Sequence, residues 1–175
     1  LLDATHEPIK SNRQLAQEVP KFEIKRKQFN EAEKGFWLKF GIDEQTLKRF
    51  NVSSLEEFST TSKIGNPYTT KSSSDKFIFA YENDNWVKLY KPLDEKKYKF
   101  QYLGTKEQGF IFGWKQLPDN GELLIITGGE KDVMTLAAKG FNAITLNSET
   151  ATLPKNIVDE LKLRFKTILV LYDND

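Results

Sequence analysis

Cysteine is absent from the 175 residues, which excludes a disulfide framework, a thiolate zinc ribbon and a cysteine nucleophile. Histidine occurs once, as His6, so neither a Ser-His-Asp triad nor a set of imidazole metal ligands fits the chain. No apolar run approaches the ~20 residues that span a bilayer, and no signal-peptide hydrophobic segment follows the start. There is no Gly-x4-Gly-Lys-Ser/Thr loop, so no P-loop motor lies in this stretch. The chain opens on Leu1 and stops on Asp173-Asn174-Asp175, and the expectation is a soluble, cytoplasmic piece of something longer.

What is present is a globular composition: 38% hydrophobic and 13% aromatic residues supply a core, against 29% charged. The net charge of +1 carries no message, but its distribution does. Residues 1–116 hold 20 Lys/Arg against 16 Asp/Glu, and residues 117–175 hold 6 against 9. Residues 86–106 alone carry six lysines and two acids, which accounts for the whole surplus of the first part. A lysine-rich segment facing an acidic one suits the meeting of a polyanion with metal ions; a solvated charged face has the same composition.

Three regions follow from the patterning. Residues 1–28 have no clear period and read as a linker or arm. Residues 29–116 begin with two helices: Asn30 and Glu33 have capping-box spacing before Phe36, Trp37 and Phe40, and Asp43 caps a second carrying Leu47 and Phe50. The Ser/Thr/Lys-rich residues 53–76 read as a mobile connection, with Leu55 and Phe58 spaced for a brief helix. Short aromatic and β-branched runs at 77–81, 86–90 and 98–102 then predict an antiparallel meander, and 110–114 a further strand. Residues 117–175 change character. Leu123–Thr127 is a continuous apolar run, Glu130–Lys139 has helical spacing, 143–146 is a second strand, Pro154 opens another helix, and Ile168–Tyr172 is a third strand. Strand, helix, strand, helix, strand predicts a parallel sheet, so the fold class is α/β with an α+β N-terminal half.

In such a sheet ligands sit outside the carboxyl ends of the strands. Glu130 and Asp132 follow the first strand, Glu149 follows the second, and Asp173 and Asp175 follow the third. Carboxylates with no His or Cys beside them make a hard oxygen site, suited to Mg²⁺ or Mn²⁺ and not to zinc. For either pair alone, a helix N-terminus or a turn explains the acids equally well.

These residues carry a resemblance. Residues 122–175 resemble the Toprim domain, with Asp173-Asn174-Asp175 matching its Asp-x-Asp. The upstream part is similar to phage-type replicative primase–helicases of the Twinkle-like family: Gly41–Phe50 fits its helical phrase, Trp86–Phe100 its lysine-bearing hairpin, and Phe112-Gly113-Trp114-Lys115 the phrase before the Toprim sheet. The resemblance covers roughly residues 30–175. It implies a primase core, with residues 29–116 as its N-terminal subdomain and 117–175 as a Toprim sheet incomplete at its C-terminus. It also implies RNA primer synthesis on single-stranded DNA from nucleoside triphosphates, a downstream helicase domain in the parent protein, and no membrane partner.

On that resemblance Asp173, Asp175, Glu130 and Glu149 hold metal, with Asp132 also counted as catalytic. Lys88, Lys91, Lys97 and Lys99 meet phosphates, while Trp86, Tyr90 and Tyr98 stack on bases. One departure matters. The family motif begins Glu-Gly, but here Gly128-Gly129-Glu130-Lys131-Asp132 places Gly128 where the leading Glu belongs. Glu149, in the loop beside it, is the expected replacement. A degenerate module that binds single-stranded DNA without catalysis and positions a helicase stays open, as does a Toprim nuclease.

Overall fold

A computed structural model of the chain describes residues 21–62, 64–146 and 151–172. Its first layer is a six-stranded antiparallel sheet. The strands are β1 (Glu23–Lys27), β2 (Val52–Thr61), β3 (Pro67–Lys71), β4 (Phe79–Glu82), β5 (Trp86–Tyr90) and β6 (Phe100–Gly104). They run in the order β1-β2-β4-β5-β6, and β3 pairs with the far half of β2.

Two readings from sequence are corrected here. The arm of residues 1–28 contains β1, which pairs with β2 along its whole length. The supposed mobile connection contains β2, the longest strand, and β3. Leu55 and Phe58 mimic a helical step because the β1–β2 register shifts between Lys25 and Arg26. Arg26 faces Leu55 while Lys25 faces Glu57, so the bulge turns both apolar side chains to one face.

Alternation along the meander fills two cores. Phe77, Phe79 and Tyr81 point to one face and Ile78 and Ala80 to the other. The second face gathers Leu55, Phe58, Val87, Leu89 and Leu103 under Phe22 and Ile24. Helices α1 (Glu31–Leu38) and α2 (Glu44–Arg49) cover the first face. The Asn30 side chain accepts the Glu33 N–H at 2.9 Å, and the Glu33 carboxylate accepts the Asn30 N–H at 3.0 Å. Asp43 accepts the Thr46 N–H at 2.8 Å and starts α2.

The second layer is a three-stranded parallel sheet in the order β8-β7-β9. It is built from β7 (Gly121–Thr127), α3 (Glu130–Ala138), β8 (Asn142–Thr145), α4 (Lys155–Arg164) and β9 (Phe165–Leu171), the α/β succession expected from the periodicity. Residues 110–114 form no full strand. Phe112 alone makes a bridge to Thr145 before a 3₁₀ turn at Trp114–Gln116. The two sheets share one core: Trp37, Phe79, Tyr81 and Tyr90 pack in the same cluster as Ile125, Val133, Met134 and Ala143. No helix among the described residues is long and apolar enough to cross a membrane.

Candidate functional site

The antiparallel sheet and the start of α3 come into contact through Lys88 of β5 and Glu130. Gly128 and Gly129 let the chain turn out of β7, and Gly129 is the N-cap of α3. Glu130 and Asp132 therefore occupy the first turn of α3, where the exposed N–H groups favour negative charge. Lys88 of β5 donates to Glu130 in an ion pair that is largely withdrawn from solvent. The Lys88 ammonium also lies 4.5 Å from the centre of the Phe100 ring and 5.9 Å from that of Tyr102. Beneath the acids, burial pushes the Tyr81 hydroxyl well above its ordinary pKa, with further contributions from Glu130, Tyr90 and Asp132. That hydroxyl stays protonated beside the carboxylates. Gly128, which follows the end of β7, has no side chain to offer.

Lys88 and Glu130 are thus brought together, but as partners of each other. Among the described residues no three acids converge on one point. Glu149, Asp173 and Asp175 lie outside the described residues. Lys91 is mostly buried, 3.7 Å from Asp94 and 3.5 Å from the Gln101 side chain. Lys97 is exposed, with its ammonium 4.6 Å from the centre of the Tyr98 ring. Lys99 is half-buried at the entrance to β6.

The stacking assignment is corrected. Trp86 and Tyr90 are only 4% and 8% exposed. Trp86 packs edge-on against Phe110 at 4.8 Å, and Tyr90 stacks on Phe100 at 5.2 Å. Alternation does put Trp86, Lys88 and Tyr90 on one face, but that face is covered at both ends and the lysine between is accommodated by its partner carboxylate. The rings that do stand open on and around β6 are Tyr68, Tyr98, Phe100 and Tyr102. Tyr98 is among those expected. Phe100 and Tyr102 had a usable signal, since they alternate along a lysine-flanked edge strand. Tyr68 had none.

No family model and no curated protein matches the sequence. Solved structures do match. A chain of the complex between bacteriophage T7 lagging-strand DNA polymerase and the primase domains of two gp4 subunits, bound to an RNA/DNA hybrid and dTTP, superposes with a TM-score of 0.53 at 16% identity. The match covers 85% of this chain and 64% of that one. The DnaG catalytic core superposes with a TM-score of 0.54 at 15% identity, over 83% of this chain and 56% of that one. The fold is primase-like. The chain spans less than two thirds of either structure, and at these identities the likeness concerns the fold.

The Lys88–Glu130 pair joins β5 of the antiparallel sheet to α3. Lys88→Ala is expected to cost about 1.5–3 kcal/mol, as a charged hydrogen bond in partial burial does. Because each single change strands the other partner, Lys88→Ala/Glu130→Ala is expected to cost less than the sum of the two single changes. Urea denaturation of the four proteins in the cycle measures this directly.

Proposed function

We propose that the chain is the catalytic core of a DNA primase within a DNA replication protein, with residues 117–175 as a Toprim sheet. The observation that carries this reading is a primase-like fold in which a lysine of the antiparallel sheet meets acids at the carboxyl end of a parallel strand. In the T7 complex the primase domains are bound to an RNA/DNA hybrid and dTTP; single-stranded DNA template and nucleoside triphosphates are the ligands proposed here. The reaction is attack of a primer 3′-hydroxyl on the α-phosphate of a nucleoside triphosphate, forming a phosphodiester and releasing pyrophosphate. A downstream helicase domain in the parent protein belongs to the same proposal.

The donor chemistry present fits a hard divalent cation, since Glu130 and Asp132 are carboxylates in a chain with no cysteine, whose single histidine is His6. Glu130, Glu149, Asp173 and Asp175 would hold Mg²⁺ or Mn²⁺, with Asp132 as a further catalytic acid; the ion when bound neutralises phosphate charge and activates the hydroxyl. Lys88 then has two roles: it holds Glu130 when no substrate is bound, and it turns to the triphosphate when one arrives. Tyr81, kept protonated, supplies a fixed dipole under the acids.

A second reading is favoured by one observation. Gly128 offers no carboxylate and Glu130 is already engaged by Lys88, as expected of a module that binds single-stranded DNA but has lost catalysis. Primer synthesis by the full-length protein on a single-stranded template, with Mg²⁺ and then Mn²⁺, separates the two. Short RNA products that vanish in Asp173→Asn support the primase. Intact DNA binding with no product under either ion overturns it in favour of the second reading.

A further inference from the structure

We infer that a trough along the outer edge of β6, roofed by the β2–β3 hairpin, is a track for single-stranded nucleic acid that discriminates against duplex; the inference rests on the nucleic-acid part of the proposed function but on neither reading of the catalytic acids. Four of the five exposed aromatic side chains on the described surface are here: Tyr68 at 38%, Tyr98 at 54%, Phe100 at 47% and Tyr102 at 42%. The trough has a volume of about 570 Å³, and Lys91 and Lys97 line it with those rings. The hairpin is tied across it by the Gln101 amide, which donates to the Tyr68 hydroxyl at 2.6 Å. That bond joins β3 to β6, two strands that share no backbone pairing, and so gives the trough its second wall.

The chemistry of the lining selects the occupant. No Asp or Glu is among the lining residues, and the hydroxyls of residues 60–62 add neutral donors. Lys97 sits over Tyr98 at 4.6 Å and Lys106 over Tyr102 at 4.6 Å, where Lys106 also donates to the Tyr102 hydroxyl at 3.1 Å. Burial lowers the Lys106 pKa, opposed only in part by Glu130. The carboxylate contacts of the lining lysines are loose, 3.7 Å for Lys91–Asp94 and 3.5 Å for Lys97–Glu95. Ammonium groups resting on rings in place of close anions are positioned to accept phosphates, while the ring surfaces that remain open accept bases. Stacking needs bases that are not already stacked in a helix, which is why a single strand fits and a duplex does not. An acidic peptide would satisfy the lysines but leave four aromatic surfaces against water. β6 is also the last strand of its sheet, so the track runs along an edge that no neighbouring strand occupies.

The test is fluorescence anisotropy of the full-length protein with a labelled oligo(dT) single strand and with a duplex of equal length, at low and moderate salt. The expected result is preference for the single strand, lost about tenfold or more in each of Tyr98→Ala and Tyr102→Ala. Tyr98→Phe and Tyr102→Phe are expected to bind like wild type, because the ring survives. Lys97→Glu is expected to weaken binding and to reduce the salt slope. Circular dichroism of each variant confirms the fold before its affinity is read. Wild-type affinity in the double variant Tyr98→Ala/Tyr102→Ala overturns the inference. So does equal affinity for duplex, or displacement of the oligonucleotide by polyglutamate at matched charge. If ring variants bind normally while primer synthesis proceeds, only the track is wrong; if the wild type binds no nucleic acid at all, the proposed function falls with it.

Discussion

Replacing Glu33 by alanine is expected to lower stability by about 3–5 kcal/mol, the cost of breaking a buried ion pair by removing one partner. Glu33 is fully buried in α1, and its carboxylate ties the start of that helix to β1 and β2. Its carboxylate receives Lys27 of β1 at 2.9 Å, the Ser54 hydroxyl of β2 at 2.8 Å and the Asn30 N–H at 3.0 Å. Truncation leaves an ammonium, a hydroxyl and a helix-start N–H without their acceptor, and of these the Ser54 hydroxyl is fully buried. Glu33→Gln keeps the volume and one acceptor oxygen but loses the charge, so an intermediate cost is expected. Urea denaturation midpoints at constant m-value order the three proteins: wild type, then Gln, then Ala. An Ala variant within ~1 kcal/mol of wild type would mean that the buried carboxylate contributes no more than an ordinary hydrogen bond.

Gly113→Ala is expected to be of similar severity, about 2–5 kcal/mol from a left-handed backbone and an overpacked contact together. Gly113 has φ +90°, and a Cβ there would meet the Ala143 carbonyl oxygen at 2.5 Å and Val133 Cγ1 at 3.1 Å. The first neighbour is backbone of β8 and cannot move aside alone. Because Phe112 bridges Thr145 one residue earlier, the strain falls where the chain passes from the antiparallel sheet to the parallel one. Thermal unfolding of Gly113→Ala beside Gly109→Ala separates the two costs. Gly109 has φ +75° but nothing within 4 Å, so it reports the left-handed backbone alone.

The parallel half was legible in the sequence because its physics is local. A strand buried on both faces must be a continuous apolar run, and Leu123–Thr127 is one; α3 shows its period through Val133, Leu136 and Ala137. Helix α1 announced itself through Asn30 and Glu33. Strand β2 did not, for a reason that lies elsewhere in the chain. Ser54 is buried because Glu33 covers it, and the bulge opposite Lys25 and Arg26 breaks the alternation that would have betrayed a strand. Both depend on partners more than twenty residues away.

The candidate site divides in the same way. Charge clustering and motif spacing single out Lys88 and Glu130, but their pairing was not readable, since 42 residues separate them and the contact exists only once α3 packs over the meander. The stacking residues were misassigned because alternation gives the face of a strand and not what lies over it. Phe110 and Tyr102 cover Trp86, while Tyr98 and Tyr102 stay open at the edge.

The core common to both sheets has a mechanical corollary. Domains joined by a linker close on a substrate as hinged jaws, but here Phe112, Val133 and Met134 pack in one core with Tyr81 and Phe79. Parting the two sheets by even a few ångströms would open voids at roughly 24 cal/mol per Å³. The spacing of the sheets is therefore set by their common core, and what adjusts to a ligand is the side chains at the surface.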